Sequence, residues 1–174
     1  MKSVLISINP KWVWKITRVE KTIEVRKTVP KKVPFKAYIY CTYGNDKENY
    51  MLGWCGKVIG EFICDKRDEY AYDYCDGVDI DDDTIIETAI SREDINIYAK
   101  GKTLYGWHIS DLKIYDKPKE LSEFYVYKEA KGGCQNCTYY RTPTLEFCQD
   151  CKSGKSPKKY LTRPPQSWFY VEEV

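Results

Sequence analysis

The chain has 174 residues, enough for one compact domain or one domain with a small appendage. Hydrophobic residues make up 43% of it, so a core can be buried, yet no apolar run reaches the roughly 18 residues that a spanning helix needs. Twenty-eight Lys and Arg face 26 Asp and Glu, and a net charge of +2 selects neither for nor against nucleic acid.

Residues 4–8 (Val4-Leu5-Ile6-Ser7-Ile8) are a short β-rich run and predict a buried strand. This apolar stretch, ended by Asn9-Pro10, is too short for a signal peptide, which fits a cytoplasmic chain. Asn9 can cap a helix and Pro10 suits its first turn. Residues 11–19 then place Trp12, Ile16 and Val19 on one helical face, with Lys11, Lys15 and Arg18 on the other. Residues 22–26 alternate, sending Ile23 and Val25 one way and Thr22, Glu24 and Arg26 the other.

Pro30 and Pro34 bracket a basic loop, and residues 37–42 predict the next strand. Residues 43–56 read as a loop, and residues 57–64 as a central strand with Glu61 inside it. A carboxylate there needs a cation or several hydrogen bonds. Residues 65–83 read as an acidic, Tyr-rich insertion of low periodicity. Ser91-Arg92-Glu93-Asp94 resembles a capping box and opens a helix over 92–99, with Gly101 at its end. Residues 105–115 predict a long, bulged strand. Five strands and two helices are too few helices for a doubly wound sheet. The expected class is α+β: a mixed, barrel-like sheet with peripheral helices.

The near-neutral total hides three unlike segments. Residues 1–36 carry ten basic and two acidic residues, residues 37–130 eleven and twenty, and residues 131–174 seven and four. Such asymmetry can mark an electrostatic footprint at the first segment. Residues 65–87 alone hold ten acids and two bases, a surface for a basic protein partner or a solvated loop.

Eight cysteines divide by spacing. Cys41, Cys55, Cys64 and Cys75 are scattered. Cys134, Cys137, Cys148 and Cys151 form two C-x2-C pairs separated by ten residues. Two such turns close a tetrahedron of thiolates around Zn2+, and a closed site of this kind is structural. The chain therefore divides into residues 1–125 as the main domain and residues 126–174 as a zinc ribbon with a basic aromatic tail. In that tail Lys158, Lys159 and Arg163 lie among Tyr160, Trp168, Phe169 and Tyr170. The tail can bind phosphate and stack bases, or dock its aromatics on the zinc module.

The N-terminal strand, the Asn9-Pro10 helix and the stretch Glu20-Lys21-Thr22-Ile23-Glu24-Val25-Arg26-Lys27 resemble the ASCH domain of the PUA-like superfamily. Residues 57–64 and 101–121, above all Tyr105-Gly106-Trp107-His108-Ile109-Ser110-Asp111-Leu112, look like the later strands of its phage and prophage members. The resemblance covers most of residues 1–125 and the Pro164-Pro165-Gln166-Ser167-Trp168 ending. It implies a small barrel with an RNA- or nucleotide-binding cleft beside the first helix and the 21–26 strand.

The expected binding residues are Lys11, Lys15, Lys21, Arg26 and Lys27 toward RNA, DNA or a modified nucleotide, with Trp107, Trp12 or Tyr40 for stacking. Some ASCH proteins are amidohydrolases acting on N4-acetylcytidine, with a Lys, a Thr three residues later and a distant Glu. Lys21 matches that Lys, but Glu24 occupies the Thr position, and the chain has Arg18-Val19-Glu20 where a Gly usually precedes the Lys. The alternative is thus a hydrolase, amidohydrolase or ribonuclease, using Lys21, Glu24, Glu61 and His108. His108 is the single histidine and would be its general base.

Overall fold

The computed structural model describes residues 1–44, 53–127 and 158–174. Strand β1 (Ser3–Ile8) leads into helix α1 (Pro10–Thr17), then β2 (Ile23–Arg26) and β3 (Phe35–Cys41). Next come β4 (Val58–Cys64), β5 (Arg67–Tyr70), β6 (Tyr72–Asp73) and β7 (Gly77–Val78). Helices α2 (Asp82–Thr88) and α3 (Arg92–Ala99) precede β8 (Leu104–His108) and β9 (Ser110–Lys119). Strands β10 (Phe124–Tyr127), β11 (Lys158–Tyr160) and β12 (Trp168–Glu173) complete it.

One mixed sheet has the order β11-β10-β12-β1-β3-β4-β9, and a second runs β2-β8-β5. β1 and β3 are parallel neighbours, so the chain must cross over between them, and α1 with β2 forms that crossover. The class is α+β, as expected. The core lies between the sheets. Val4, Ile6 and Ile8 of β1 and Ala37 and Ile39 of β3 meet Val13 and Ile16 of α1 and Trp107 of β8 there. Trp107 is wholly buried, with the Phe35 ring 5.0 Å and the Trp168 ring 5.7 Å away, both edge-on.

Local signals explain most elements. The Asn9 side chain accepts from the Lys11 amide at 3.0 Å, and Pro10 begins α1. Ser91 accepts from Asp94 N at 3.1 Å and caps α3. That helix ends one residue earlier than the glycine suggests, with Lys100 already left-handed at φ 50°. The region read as an acidic insertion folds into β5, β6, β7 and the start of α2. Asp81 supplies the signal, accepting from Thr84 N at 2.8 Å as the α2 cap. Residues 105–115 divide into β8 and β9 around Ile109, with a register shift against β4. Pro118 is tolerated because β9 is an edge strand.

The boundary drawn at residue 125 falls inside β10. β12 lies between β10 and β1, with Val4 opposite Tyr170 and Ile6 opposite Trp168. Residues 158–174 therefore belong to the main sheet, and Val171 and Leu161 pack with Leu5 and Phe124. Cys134, Cys137, Cys148 and Cys151 lie outside the described residues. Among the described residues, no group of His, Cys, Asp and Glu could hold a metal, and no helix is long and apolar enough to cross a membrane.

Candidate functional site

A cleft of about 430 Å³ opens between the start of α1, β2 and α3. Its lining includes Lys11 and Trp12 from α1, Glu24 and Arg26 from β2, and Asp94 and Tyr98 from α3. The alternation of β2 creates this wall. Val25 turns into a cluster with Ile95, Ala99 and Leu104, so Glu24 and Arg26 turn the other way.

Lys21 anchors the wall from behind. It is 1% exposed, and its ammonium donates to Ile23 O at 2.8 Å and to Thr88 O at 2.7 Å. Glu24 Oε2 lies 3.4 Å from the same nitrogen. Two carbonyls and a carboxylate match the three N–H donors of an ammonium. Burial pulls the Lys21 pKa down from the ordinary lysine value, and the Glu24 carboxylate opposes that pull.

Glu24 Oε1 pairs with Arg26 Nη2 at 2.9 Å, and the same Arg26 nitrogen donates to Ser7 O at 2.6 Å. Two buried atoms of this pair make no hydrogen bond among the described residues: Arg26 Nε, and Glu24 Oε2, which has only its ion pair with the Lys21 ammonium. Buried polar atoms are rarely left so, because each unmade bond costs about 1–3 kcal/mol. One is an acceptor and the other a donor, and both belong to residues that line the cleft.

The surroundings are basic and aromatic. The Trp12 ring has three ammonium groups near it: Lys11 at 4.6 Å, Lys21 at 5.3 Å and Lys15 at 5.4 Å from its centroid. Lys27 sits 5.1 Å from the Tyr98 ring, and Tyr98 is 38% exposed. Lys15 also donates to Ala89 O at 3.2 Å, tying α1 to the end of α2.

The expected binding residues Lys11, Lys15, Lys21, Arg26 and Lys27 thus gather at one place. Trp107 does not join them. It stands opposite Glu24 in the β2–β8 pairing but is wholly buried, with the Phe35 and Trp168 rings against it, so no base can stack on it. Tyr40 is buried beside Val58 and Phe124 and does not line the cleft. The expected catalytic set divides among three clusters. Lys21 and Glu24 stay together. Glu61 is held on the large sheet by Lys36 at 3.0 Å and by the Tyr115 hydroxyl at 2.5 Å. His108 Nε2 faces Asp68 Oδ2 at 2.5 Å, across β8 and β5. Sequence reasoning missed Asp94 and Tyr98 as cleft residues. Their i, i+4 spacing on a capped helix was the available signal.

The protein-family models and the curated proteins contain no match to this sequence. Solved structures do match. The crystal structure of ASCH from Zymomonas mobilis superposes with a TM-score of 0.55 at 16% identity, covering 98% of this chain and 88% of that one. Two single-residue mutants of the same protein match with TM-scores of 0.55 and 0.56, also at 16% identity. They cover 99% and 98% of this chain and 91% and 89% of theirs. The fold is an ASCH fold. The expectation drawn from residues 20–27 and 105–112 holds at that level. Within this ASCH fold the cleft is set by the crossover helix α1, the β2 wall and the α3 face.

Proposed function

We propose that this ASCH-fold chain binds single-stranded nucleic acid, foremost RNA, or a modified nucleotide, with one base in the α1–β2–α3 cleft. The observation that carries the reading is the Glu24–Arg26 pair in the cleft wall, where Arg26 Nε has no hydrogen-bond partner among the described residues and Glu24 Oε2 has only the Lys21 ammonium beside it. An acceptor beside a donor complements the edge of a nucleobase. Trp12 and Tyr98 offer ring faces, and Lys11, Lys15 and Lys27 offer charge to phosphate. Lys21 positions Glu24 by anchoring it and does not need to touch the ligand.

Titration of a labelled RNA oligonucleotide at several salt concentrations tests this. Affinity should fall steeply with salt, and charge reversal at Lys11 or Lys27 should weaken binding and reduce the salt slope by about one. Arg26→Met should weaken a mononucleotide as strongly as an oligonucleotide. Absence of affinity at low salt overturns the reading.

Cys134, Cys137, Cys148 and Cys151 fit a structural Zn2+ by donor type and spacing, and a four-thiolate site suits a reducing cytoplasm. Metal analysis should find about one zinc per chain, lost when Cys134 and Cys148 become Ser. A chain purified without zinc that keeps its fold and binds none on titration refutes the site.

A further inference from the structure

A second concave surface lies on β11, β12 and the first residues of β1. A hollow of about 350 Å³ is lined by Lys159, Tyr160, Arg163, Phe169 and Tyr170, among others, and no carboxylate of the described residues contributes to it. It shares Val126 and Tyr170 with a neighbouring hollow of about 260 Å³ that includes Lys2 and Ser3, and Glu172 as the one acid among its described residues. Tyr160 is 48% and Tyr170 41% exposed. Cations sit on the rings of this face: Lys2 is 4.9 Å from the Tyr170 centroid and Lys158 4.2 Å from that of Tyr125.

We propose that this face is a second binding surface for single-stranded nucleic acid, with bases stacking on Tyr160 and Tyr170 and phosphates meeting Lys2, Lys159 and Arg163. Exposed aromatic faces interleaved with cations are how proteins track a single strand without reading its sequence. Charge decides between occupants. Residues 128–157 carry five basic and three acidic residues, so their charge does not complement it. A polyanion does. The face also adjoins the cleft. Ser7, which lines the cleft, donates from its hydroxyl to Pro165 O at 2.7 Å, and Ser3 of the second hollow is four residues back along β1. At about 3.3 Å per residue the two ends are about 13 Å apart along the strand. One oligonucleotide can therefore reach both, although the proposal does not depend on the cleft being occupied.

The test uses the full chain, zinc-loaded, with fluorescein-labelled ten-nucleotide oligouridylate and oligothymidylate in parallel arms. Tyr160→Ala should weaken both oligonucleotides by about fivefold to a hundredfold, while Tyr160→Phe, which keeps the ring, should not. Lys159→Gln with Arg163→Gln should lower the salt slope by about 1.4. Binding of a uridine mononucleotide should stay at the parent level in all of these variants. Cleft variants such as Lys11→Glu should weaken the mononucleotide as well as the oligonucleotides, which separates failure of this surface from failure of the cleft. Photocrosslinking of bromouridine-substituted oligonucleotide to the parent chain should label Tyr160 or Tyr170, a readout that needs no variant to fold. The proposal is overturned if the surface variants keep the parent affinity and salt slope, or if crosslinks avoid β11 and β12. It is overturned equally if the face is found covered by residues 128–157 or by a second copy of the chain.

Discussion

Replacing Lys21 by Met keeps the volume of the side chain and removes its charge. In the folded chain that leaves the Ile23 and Thr88 carbonyls without their donor and Glu24 with Arg26 as its one cation. A buried group deprived of its bond costs about 1–3 kcal/mol, and breaking a buried ion pair about 3–5 kcal/mol. These losses overlap, so the expected destabilisation is about 4 kcal/mol. In a chain of this length each kcal/mol shifts Tm by about 2–4 °C, giving a fall of about 8–16 °C. Urea unfolding followed by tryptophan fluorescence measures the first quantity, and calorimetry the second. The sign with pH provides a further check. Burial holds the folded Lys21 pKa below the ordinary lysine value, so in that alkaline window the unfolded chain carries the extra proton. Stability from this group therefore rises with pH across the window, and the Met variant should lack that slope. A Met variant as stable as the parent would refute the claim that Lys21 braces β2 against α2. A variant more stable than the parent would instead favour a strained functional lysine.

Val19 is left-handed at φ 59° and 68% exposed, so a β-branched residue occupies a position that suits glycine. Val19→Gly should raise stability by about 1 kcal/mol in the same urea assay, since relief of about 1–2 kcal/mol exceeds the added unfolded-state entropy. Burial alone would raise the Glu61 carboxyl, but hydrogen bonds from Tyr115 and Lys36 outweigh it and hold the group below the ordinary glutamate value. Asp68 is likewise held down, by His108 and Lys66 against burial. The stability these groups confer is complete above their unfolded values and lost as pH falls through the folded ones, so Glu61→Gln and Asp68→Asn should flatten the acid limb of a circular-dichroism titration. Burial pushes the Cys41 and Cys64 thiols up to about 12, whereas Cys75 is exposed. Iodoacetamide at pH 8 should label Cys75 more than about a hundredfold faster than either, read by peptide mass spectrometry.

Local chemistry was legible wherever one short signal decided the outcome. Asn9-Pro10 placed α1, the Ser91 box placed α3, and the alternation of residues 22–26 set the cleft wall. Pairings between distant segments were not legible. β12 has Trp168 against Trp107 on one side and Val171 against Leu5 on the other. Aromatic and apolar residues serve both faces, although Tyr170 stays 41% exposed, so the sequence does not alternate and nothing local announces β1 as its neighbour. The acidic run between residues 65 and 83 misled for a related reason. Its strands are two to four residues long and its charge is high, yet Val78 and Ile80 give it a core contact against α3. Trp107 misled because its neighbours in sequence resemble a binding strand, while burial is decided by the sheet that packs over it.

The antiparallel pairing of Tyr127 with Lys158 has a consequence for how this protein can change. The sheet thereby holds the two ends of the thirty-residue segment between them at adjacent strand ends. Such a junction works like a socket. What is plugged into it can be lengthened, exchanged or lost without altering the path of β12 back to β1, because insertions between fixed ends act on little besides loop entropy. The core between β1, β3 and β8 and the sequence between residues 127 and 158 can thus be selected separately, and a lineage could keep the cleft while changing that segment.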